Sequence, residues 1–288
     1  MILIDYSQVA ISNIAVQLAM SKDKNVLSIP MVRHMILNSI RGYVHKFKYD
    51  YPGEVVICVD GPDPWRRDIF EQYKAKRREG RNNDDRDWES VFGLIHTIKE
   101  EIRDNFPYKV VQLDKVEADD IIAIICKKNH DKKILIVSGD KDFQQLQKYP
   151  NVFQYSPTQK KFVETDSPQE YIYEHILKGD TSDGIPNFLS PDDTFVNKIK
   201  QKPVSKKKLT GWIDSLMRGN DPQDFCNEYH YRNYQRNQRL IDFDYIPDDI
   251  QTDIYKEYEK ATITSRSKIL PYMIKNDLKE LIGKIEEF

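Results

Sequence analysis

The stretch Val116-Glu117-Ala118-Asp119-Asp120, followed by Leu135-Ile136-Val137-Ser138-Gly139-Asp140-Lys141-Asp142, limits what this chain can fold into. The first piece sets three carboxylates at the start of an apolar helix over residues 121–127. The second reads as a buried strand that ends abruptly in Asp-x-Asp. An acid at the C-terminal end of a hydrophobic strand points into the crevice where open α/β sheets bind ligands. Acids converging on one crevice repel each other unless cations sit between them. The pattern therefore points to hard divalent ions, Mg²⁺ or Mn²⁺.

The rest of the chain supplies matching pieces. Residues 1–5 form a short apolar strand ending in Asp5, and residues 54–60 repeat that pattern, ending in Asp60. Between them Pro30 opens a helix with Val32, Met35, Ile36, Ile40 and Val44 along one side. Two strands joined by a helix make a right-handed βαβ unit. Residues 109–113, 134–137 and 151–155 read as further strands. The expected fold is α/β, a mostly parallel central sheet with helices on both faces. Beyond residue 165 the pattern turns helical and polar, with helices at 171–178 (ending at Gly179), 206–217 and 269–287. The expected division is an α/β core over 1–165 and a helical region over 166–288.

Taken singly, each acid has a plain structural explanation. Asp5 and Asp60 could begin turns or cap helices, and Glu117, Asp119, Asp120, Asp140 and Asp142 could favour the positive ends of helix dipoles. Their combination at neighbouring strand ends is harder to explain that way, because buried like charges without a cation destabilise a fold. Two divalent ions about 4 Å apart suit phosphoryl transfer to water.

A formal net charge of −2 hides strong segregation. Residues 66–81 and 198–208 are basic, and local fields matter most when a polyanion approaches. Arg66, Arg67, Lys74, Arg77 and Arg78 follow the second acidic strand, with Tyr73 placed to stack on a base. A solvated helix face is the competing explanation for such a run. Residues 79–87 are polar without apolar periodicity and read as a mobile loop or arch; residues 88–106 return to helical spacing through Phe92, Ile95, Ile98 and Ile102.

Other classes are excluded. Cys58, Cys126 and Cys226 are widely spaced, and no histidine pattern suits zinc. A reducing, cytoplasmic setting fits, with no signal peptide and no apolar run of about 20 residues for a membrane. No P-loop or serine-hydrolase motif occurs. Asp5-Tyr6-Ser7 lacks the second acid of a haloacid-dehalogenase-type phosphatase. A non-catalytic DNA-structure binder and a PIN-like ribonuclease are the alternatives.

The residues Ile4-Asp5, Met31-Val32-Arg33-His34, Trp65-Arg66-Arg67-Asp68, Glu117-Ala118-Asp119-Asp120, Lys148-Tyr149-Pro150-Asn151-Val152, Leu177-Lys178-Gly179-Asp180 and Ile241-Asp242-Phe243-Asp244-Tyr245-Ile246-Pro247 together carry a resemblance over nearly the whole chain. The chain resembles the 5′ nuclease (flap endonuclease) family, in particular its group of T-even-like phage ribonucleases H. The resemblance implies a PIN-like core with a helical arch around residues 66–98, often disordered without DNA. It implies a first metal site from Asp5, Asp60, Asp119 and Asp140, with Glu117 close by. A second, partly water-mediated site would come from Asp142, Asp180 and Asp183. With Asp120 from the acidic helix start, these form the candidate metal set for two Mg²⁺ ions, replaceable by Mn²⁺.

Lys74 and Arg77 would touch phosphate, and cleavage would depend most on Lys74, Asp119 and Asp140. The implied substrates are RNA–DNA hybrid and DNA with 5′ ends or flaps, cut 5′ to 3′ to remove primers. A monomer working with a single-strand-binding protein and a sliding clamp would fit, in the host cytoplasm if phage-encoded. The run Phe188-Leu189-Ser190-Pro191-Asp192-Asp193 stands where many relatives carry glycines, which puts a K⁺ site and the usual hairpin grip on duplex in doubt. Lys198, Lys200, Lys202, Lys206, Lys207 and Lys208 could take over phosphate binding, with a solvated loop as the alternative, and the terminal Ile285-Glu286-Glu287-Phe288 is either a docking tail or, more in keeping with a passive terminus, a plain helix end.

Overall fold

Alternate residues of the apolar strands face two different cores, and that alternation builds the molecule. The computed structural model describes residues 1–21, 26–84 and 86–288. Its first half runs β1 (Ile2–Asp5), α1 (Tyr6–Met20), α2 (Ile29–Phe47), β2 (Val55–Cys58), α3 (Arg66–Ile69), α4 (Ala75–Asn82), α5 (Trp88–Asn105), β3 (Lys109–Val111), α6 (Ala118–Lys128), β4 (Ile134–Val137), β5 (Val152–Ser156) and β6 (Lys161–Val163). The second half is helical: α7 (Pro168–Lys178), α8 (Lys206–Met217), α9 (Glu228–Ile241), α10 (Asp248–Lys260), α11 (Ile269–Lys275) and α12 (Lys279–Ile282).

The strands lie in the order β3-β2-β1-β4-β5-β6, parallel except for β6 at the edge. On one face Ile2, Ile4, Val55, Ile57, Leu135 and Val137 pack against α1, α2 and α5. On the other, Leu3, Val56, Cys58, Ile134 and Ile136 pack against α6 and α10. A third cluster around Ile176, Phe188, Leu216 and Leu240 joins α7, α8 and α9, and it takes in Phe70 and Tyr73 from the chain leading into α4. The order of connection reverses between β1 and β4. That switch opens a crevice beyond the C-terminal ends of the strands, and Asp5, Asp60 and Asp140 all lie there.

Several local expectations change. Helix α1 follows Asp5 directly, although its periodicity is blurred by exposed Ile11, Val16 and Met20. In α5 the buried stripe is Val91, Leu94, Ile98 and Ile102; Phe92 instead turns outward and stacks on Trp88 at 5.7 Å between centroids. The basic segment forms two helices, α3 and α4. The polar segment 79–87 is helical as far as Asn82, and Asp87 caps α5 by accepting from the Ser90 N–H at 3.0 Å. Asp85 lies outside the described residues. No described helix is long and apolar enough to cross a membrane.

The expected helix over 269–287 breaks into α11, α12 and a closing 3₁₀ turn, because Asp277 adopts a left-handed conformation (φ 54°) that a helix cannot continue through. Phe288 is 3% exposed, its ring 5.2 Å from that of Phe106, and Arg266 donates to its carbonyl. Phe288 thus ends a 3₁₀ turn with its ring held in the core. Phe288→Ala should cost about 3 kcal/mol of stability in urea denaturation. A free tail would give no change.

Candidate active site

Local hydrogen bonding first explains why the acids stand where they do. Asp5 Oδ1 accepts from the Gln8 N–H (3.0 Å), capping α1, while Oδ2 accepts from Ser138 Oγ (3.1 Å). Ser138 Oγ also accepts from the Asp140 N–H, so one hydroxyl ties the ends of β1 and β4 together. Asp60 Oδ1 accepts from the Ala118 N–H at 2.8 Å, at the first turn of α6. Asp140 accepts from the Asp142 N–H at 3.0 Å. Capping is therefore real, and it aims the remaining lone pairs into the crevice.

The acids from the helical half arrive through a tight loop after α7. Gly179 (φ 66°) ends the helix, and a Cβ there would come within 2.4 Å of the Ile185 carbonyl oxygen. Asp180 Oδ1 then accepts from the Ser182 N–H and Oγ at 2.6 and 2.7 Å. The result is a crevice of about 310 Å³ lined by Asp5, Asp60, Asp119, Asp140, Asp142, Asp180 and Asp183, with Lys74, Arg77 and Gln8 among the other residues. Seven carboxylates face two permanent cations.

The electrostatics record that imbalance. Burial and the nearby Asp60 push the Asp5 carboxyl up to about 7. Burial, with Asp140 and Asp180 beside it, takes Asp142 to about 7 despite the opposing His175. Burial and Asp140 raise Asp119 well above the carboxylate range. Asp180 is instead depressed: its burial is outweighed by His175 and Ser182. His175, buried yet flanked by Asp180 and Asp142, is raised. An oxygen-only donor set with excess negative charge is the chemistry of a hard divalent cation, so Asp5, Asp60, Asp119 and Asp140, and Asp142, Asp180 and Asp183, fit the metal reading.

Two expected ligands are otherwise engaged. Asp120 is fully buried and binds Arg66 through both oxygens (2.8 and 3.0 Å) and Trp65 Nε1 (2.9 Å). Glu117 accepts from Lys74 at 2.5 Å through Oε1, and from Arg66 and Tyr73 at 3.0 and 2.9 Å through Oε2. Burial opposes its ionisation, but Lys74 and Arg66 outweigh it and hold it below its ordinary value. In this structure these two acids hold cations and do not line the acidic crevice.

The nucleic-acid candidates divide in the same way. Arg66 is 3% exposed and also donates to the Leu240 carbonyl (2.8 Å), so it is a buried tie and not a phosphate contact. Tyr73 is buried with its hydroxyl on Glu117 and Asp183, leaving no ring face to stack on a base. Arg78 folds back onto the carbonyl of Tyr73. Arg67 pairs with Asp63 at 2.6 Å. Lys74 and Arg77 do stand at the crevice. Lys74 adopts a left-handed conformation (φ 55°), its N–H donates to the Asp183 carbonyl (2.7 Å), and Arg77 pairs with the Asp183 carboxylate (2.6 Å).

Beyond them a cavity of about 960 Å³ continues under α4 and α5, lined by Arg67, Arg81, Arg86, Trp88, Phe92 and Lys99. Lys198 and Lys200 line a separate cavity beside α4, and Lys206, Lys207 and Lys208 are exposed at the start of α8; none of these five lines the acidic crevice. Sequence reasoning missed Gln8, Ser138, His175, Arg81 and Arg86. Of these Arg81 lay at the end of the basic run 66–81, and His175 stood on an expected helix just before Asp180.

Arg66→Ala should destabilise the protein by about 3–5 kcal/mol, because it strands two buried carboxylates; urea denaturation reads this, and a surface phosphate contact would show almost none. The raised acids make a second prediction. Asp5 and Asp142 titrate near 7 when folded against 3.8 when not, so the folded state binds more protons between those values and stability falls as pH rises across them. Depressed Asp180 and Glu117 act at the acid end, losing stability as pH falls through their folded values. In EDTA the Tm should decline from about pH 4 to about pH 7, with a shallower decline in Asp142→Asn, and Mg²⁺ should restore more Tm near neutrality than at about pH 5. A flat profile would contradict the crowding.

Comparison with known proteins places these features in context. Residues 1–175 match the family described as 5′-3′ exonuclease, N-terminal resolvase-like domain, and residues 166–288 match the T4 RNase H C-terminal family. The Ribonuclease H of Enterobacteria phage T4 is 38% identical over 295 residues, covering 99% of this chain and 95% of that protein. Among solved structures, the T5 5′-exonuclease with bound zinc aligns with a TM-score of 0.62 at 16% identity, over 91% of this chain and 98% of that one. A T5 flap endonuclease complex with DNA and metal ions aligns at 0.61 and 16%, over 90% and 97%. At those identities the structural matches establish the fold.

Proposed function

The chain belongs to the 5′-3′ exonuclease family, and on that premise we propose that it is a Mg²⁺-dependent nuclease that hydrolyses phosphodiesters at the 5′ ends of RNA–DNA hybrid and of duplex or flap DNA, removing RNA primers from lagging-strand fragments. The observation that carries this reading is the crevice itself. Seven carboxylates from both halves of the chain meet where the sheet switches direction, with Lys74 and Arg77 at their edge. A non-catalytic binder would gain nothing from carboxylates facing phosphates.

Asp5, Asp60, Asp119 and Asp140 would hold one Mg²⁺, and Asp142, Asp180 and Asp183 the other. Two such ions supply an activated water and stabilise the leaving oxygen. Glu117 keeps Lys74 charged: burial disfavours the ammonium, but Glu117 and Asp183 raise its pKa overall. The ammonium is therefore fixed before substrate arrives, which is the preorganisation that stabilises developing phosphate charge. Arg77 is half exposed and paired with Asp183, and its open side would meet a second phosphate oxygen. The cavity under α4 and α5, with Arg81, Arg86 and Trp88 on its walls, suits the strand leading to the cut.

Residues 1–165 would form the catalytic core and 166–288 the helical nucleic-acid-binding region. Exposed Lys198, Lys200, Lys206, Lys207 and Lys208 would contact phosphates away from the cut. The role calls for a monomer beside a single-strand-binding protein and a sliding clamp in the cytoplasm.

A 3′-labelled RNA–DNA primer on its template should be trimmed from its 5′ side with Mg²⁺ and left intact in EDTA. Binding without cleavage under both conditions would overturn the reading. Asp119→Asn should abolish cleavage while substrate binding survives. Lys74→Ala should slow single-turnover cleavage by about 10²- to 10³-fold with little change in affinity. Affinity should fall steeply with salt.

A further inference from the structure

The loop that brings Asp180 and Asp183 to the crevice is closed at its base by one side chain. Asn237, in α9, is fully buried. Its Nδ2 donates to the Ile176 carbonyl (2.8 Å) before the loop and to the Pro186 carbonyl (2.9 Å) after it. Its Oδ1 accepts from Arg236 Nε (3.0 Å) and Nη2 (2.8 Å). A guanidinium has donors only, so these two bonds decide which end of the Asn237 amide faces the carbonyls. Arg236 is 6% exposed, adds its own bond to the Pro186 carbonyl (3.0 Å) and pairs with Asp192. Within the loop the Ile185 N–H donates to the Asp180 carbonyl at 2.7 Å, and the Asp183 carbonyl accepts from the Lys74 N–H at 2.7 Å. Neither Arg236 nor Asn237 lines the crevice.

Resting on the assignment of Asp142, Asp180 and Asp183 to one Mg²⁺, we infer that Asn237 and Arg236 are positioning residues for that ion. Arg236 orients the Asn237 amide, and the amide fixes the spacing of the Ile176 and Pro186 carbonyls. That spacing sets where the Asp180 and Asp183 carboxylates stand. Ligands of a working site must be held within about 0.5 Å by supporting hydrogen bonds, and Mg²⁺ tolerates little departure from octahedral geometry. A loop untied at its base therefore binds the ion more weakly, while Asp5, Asp60, Asp119 and Asp140, on other elements, keep theirs. The helical half of the chain thus serves metal binding through residues that never touch the metal. Asn237 and the loop it closes lie on separate elements, so no sequence spacing announces the pair.

Helix α9 supplies its own control. Asn233, one turn earlier, is also fully buried, and its Nδ2 also donates to two carbonyls, those of Phe188 and Ser190 (3.1 Å each), beyond the acids. Asn237→Ser and Asn233→Ser should therefore lower Tm alike. In a calorimetric Mg²⁺ titration without nucleic acid, one binding step should vanish in Asp180→Asn. Asn237→Ser should weaken that step about tenfold or more, and Asn233→Ser should leave it unchanged. In EDTA the Ser182 and Ile185 amides should exchange hydrogen faster in Asn237→Ser alone. Arg236→Met spares the carbonyl bonds of Asn237 but no longer orients its amide; it should weaken the same step by less, and it carries the test if Asn237→Ser does not fold. No Mg²⁺ step sensitive to Asp180→Asn, unchanged Mg²⁺ binding in the folded variant, or an equal loss in Asn233→Ser would each overturn the assignment. Mg²⁺-dependent 5′ trimming by the natural protein, alongside undiminished Mg²⁺ binding in Asn237→Ser, would sink this inference and leave the nuclease reading standing. A step weakened only in Asn237→Ser, in a protein that cuts nothing, would do the reverse.

Discussion

Seven carboxylates packed at the open end of a parallel sheet set the terms for everything around them. Removing paired charges from water costs several kcal/mol per ion unless strong partners replace the lost hydration, and unpaired like charges cost more. The fold answers in two ways. It surrounds the crevice with fixed cations, and it leaves carboxylates that are neutralised by protons or by a bound cation. Asp5, Asp119 and Asp142, all pushed upward in pKa, are those carboxylates.

The fixed cations also tie the two halves of the chain together. Arg66 sits between Glu117 and Asp120 of the α6 terminus and the Leu240 carbonyl of α9. Lys74 reaches Glu117 with its side chain and Asp183 with its backbone. A left-handed lysine costs about 1–2 kcal/mol, and here that conformation points its N–H at the loop that carries Asp183. Gly184 completes the join, since a Cβ there would come within 3.2 Å of the Gln72 carbonyl oxygen. The entry to the arch and the acids of the second group are thus tied together, and Lys74 and Arg77 are held in place beside the acidic crevice.

Much of this was legible. Apolar strands ending in Asp require a sheet with acids at one edge, and the resemblance added the Asp180 and Asp183 loop. The roles within the basic run were not legible. Arg66, Tyr73, Lys74 and Arg77 look alike as members of a charged helix. Tyr73 is buried in the third core, Arg66 between two acids, and only Lys74 and Arg77 face the crevice. Glu117, Asp119 and Asp120 divide similarly, because consecutive positions on a helix turn by about 100° and of the three only Asp119 lines the acidic crevice. Phe92 was misplaced for the same reason: spacing gives a face but does not say which neighbour covers it.

The sequence by itself determined the strand ends, their acids and the helical character of the second half, because periodicity and short-range capping are local properties of the chain. Tertiary structure alone decided which acids stay free for metal, which cations are spent in holding them, and that His175 meets Asp142. Those outcomes depend on side chains brought together from distant elements. Their energies depend on burial, which no local pattern records.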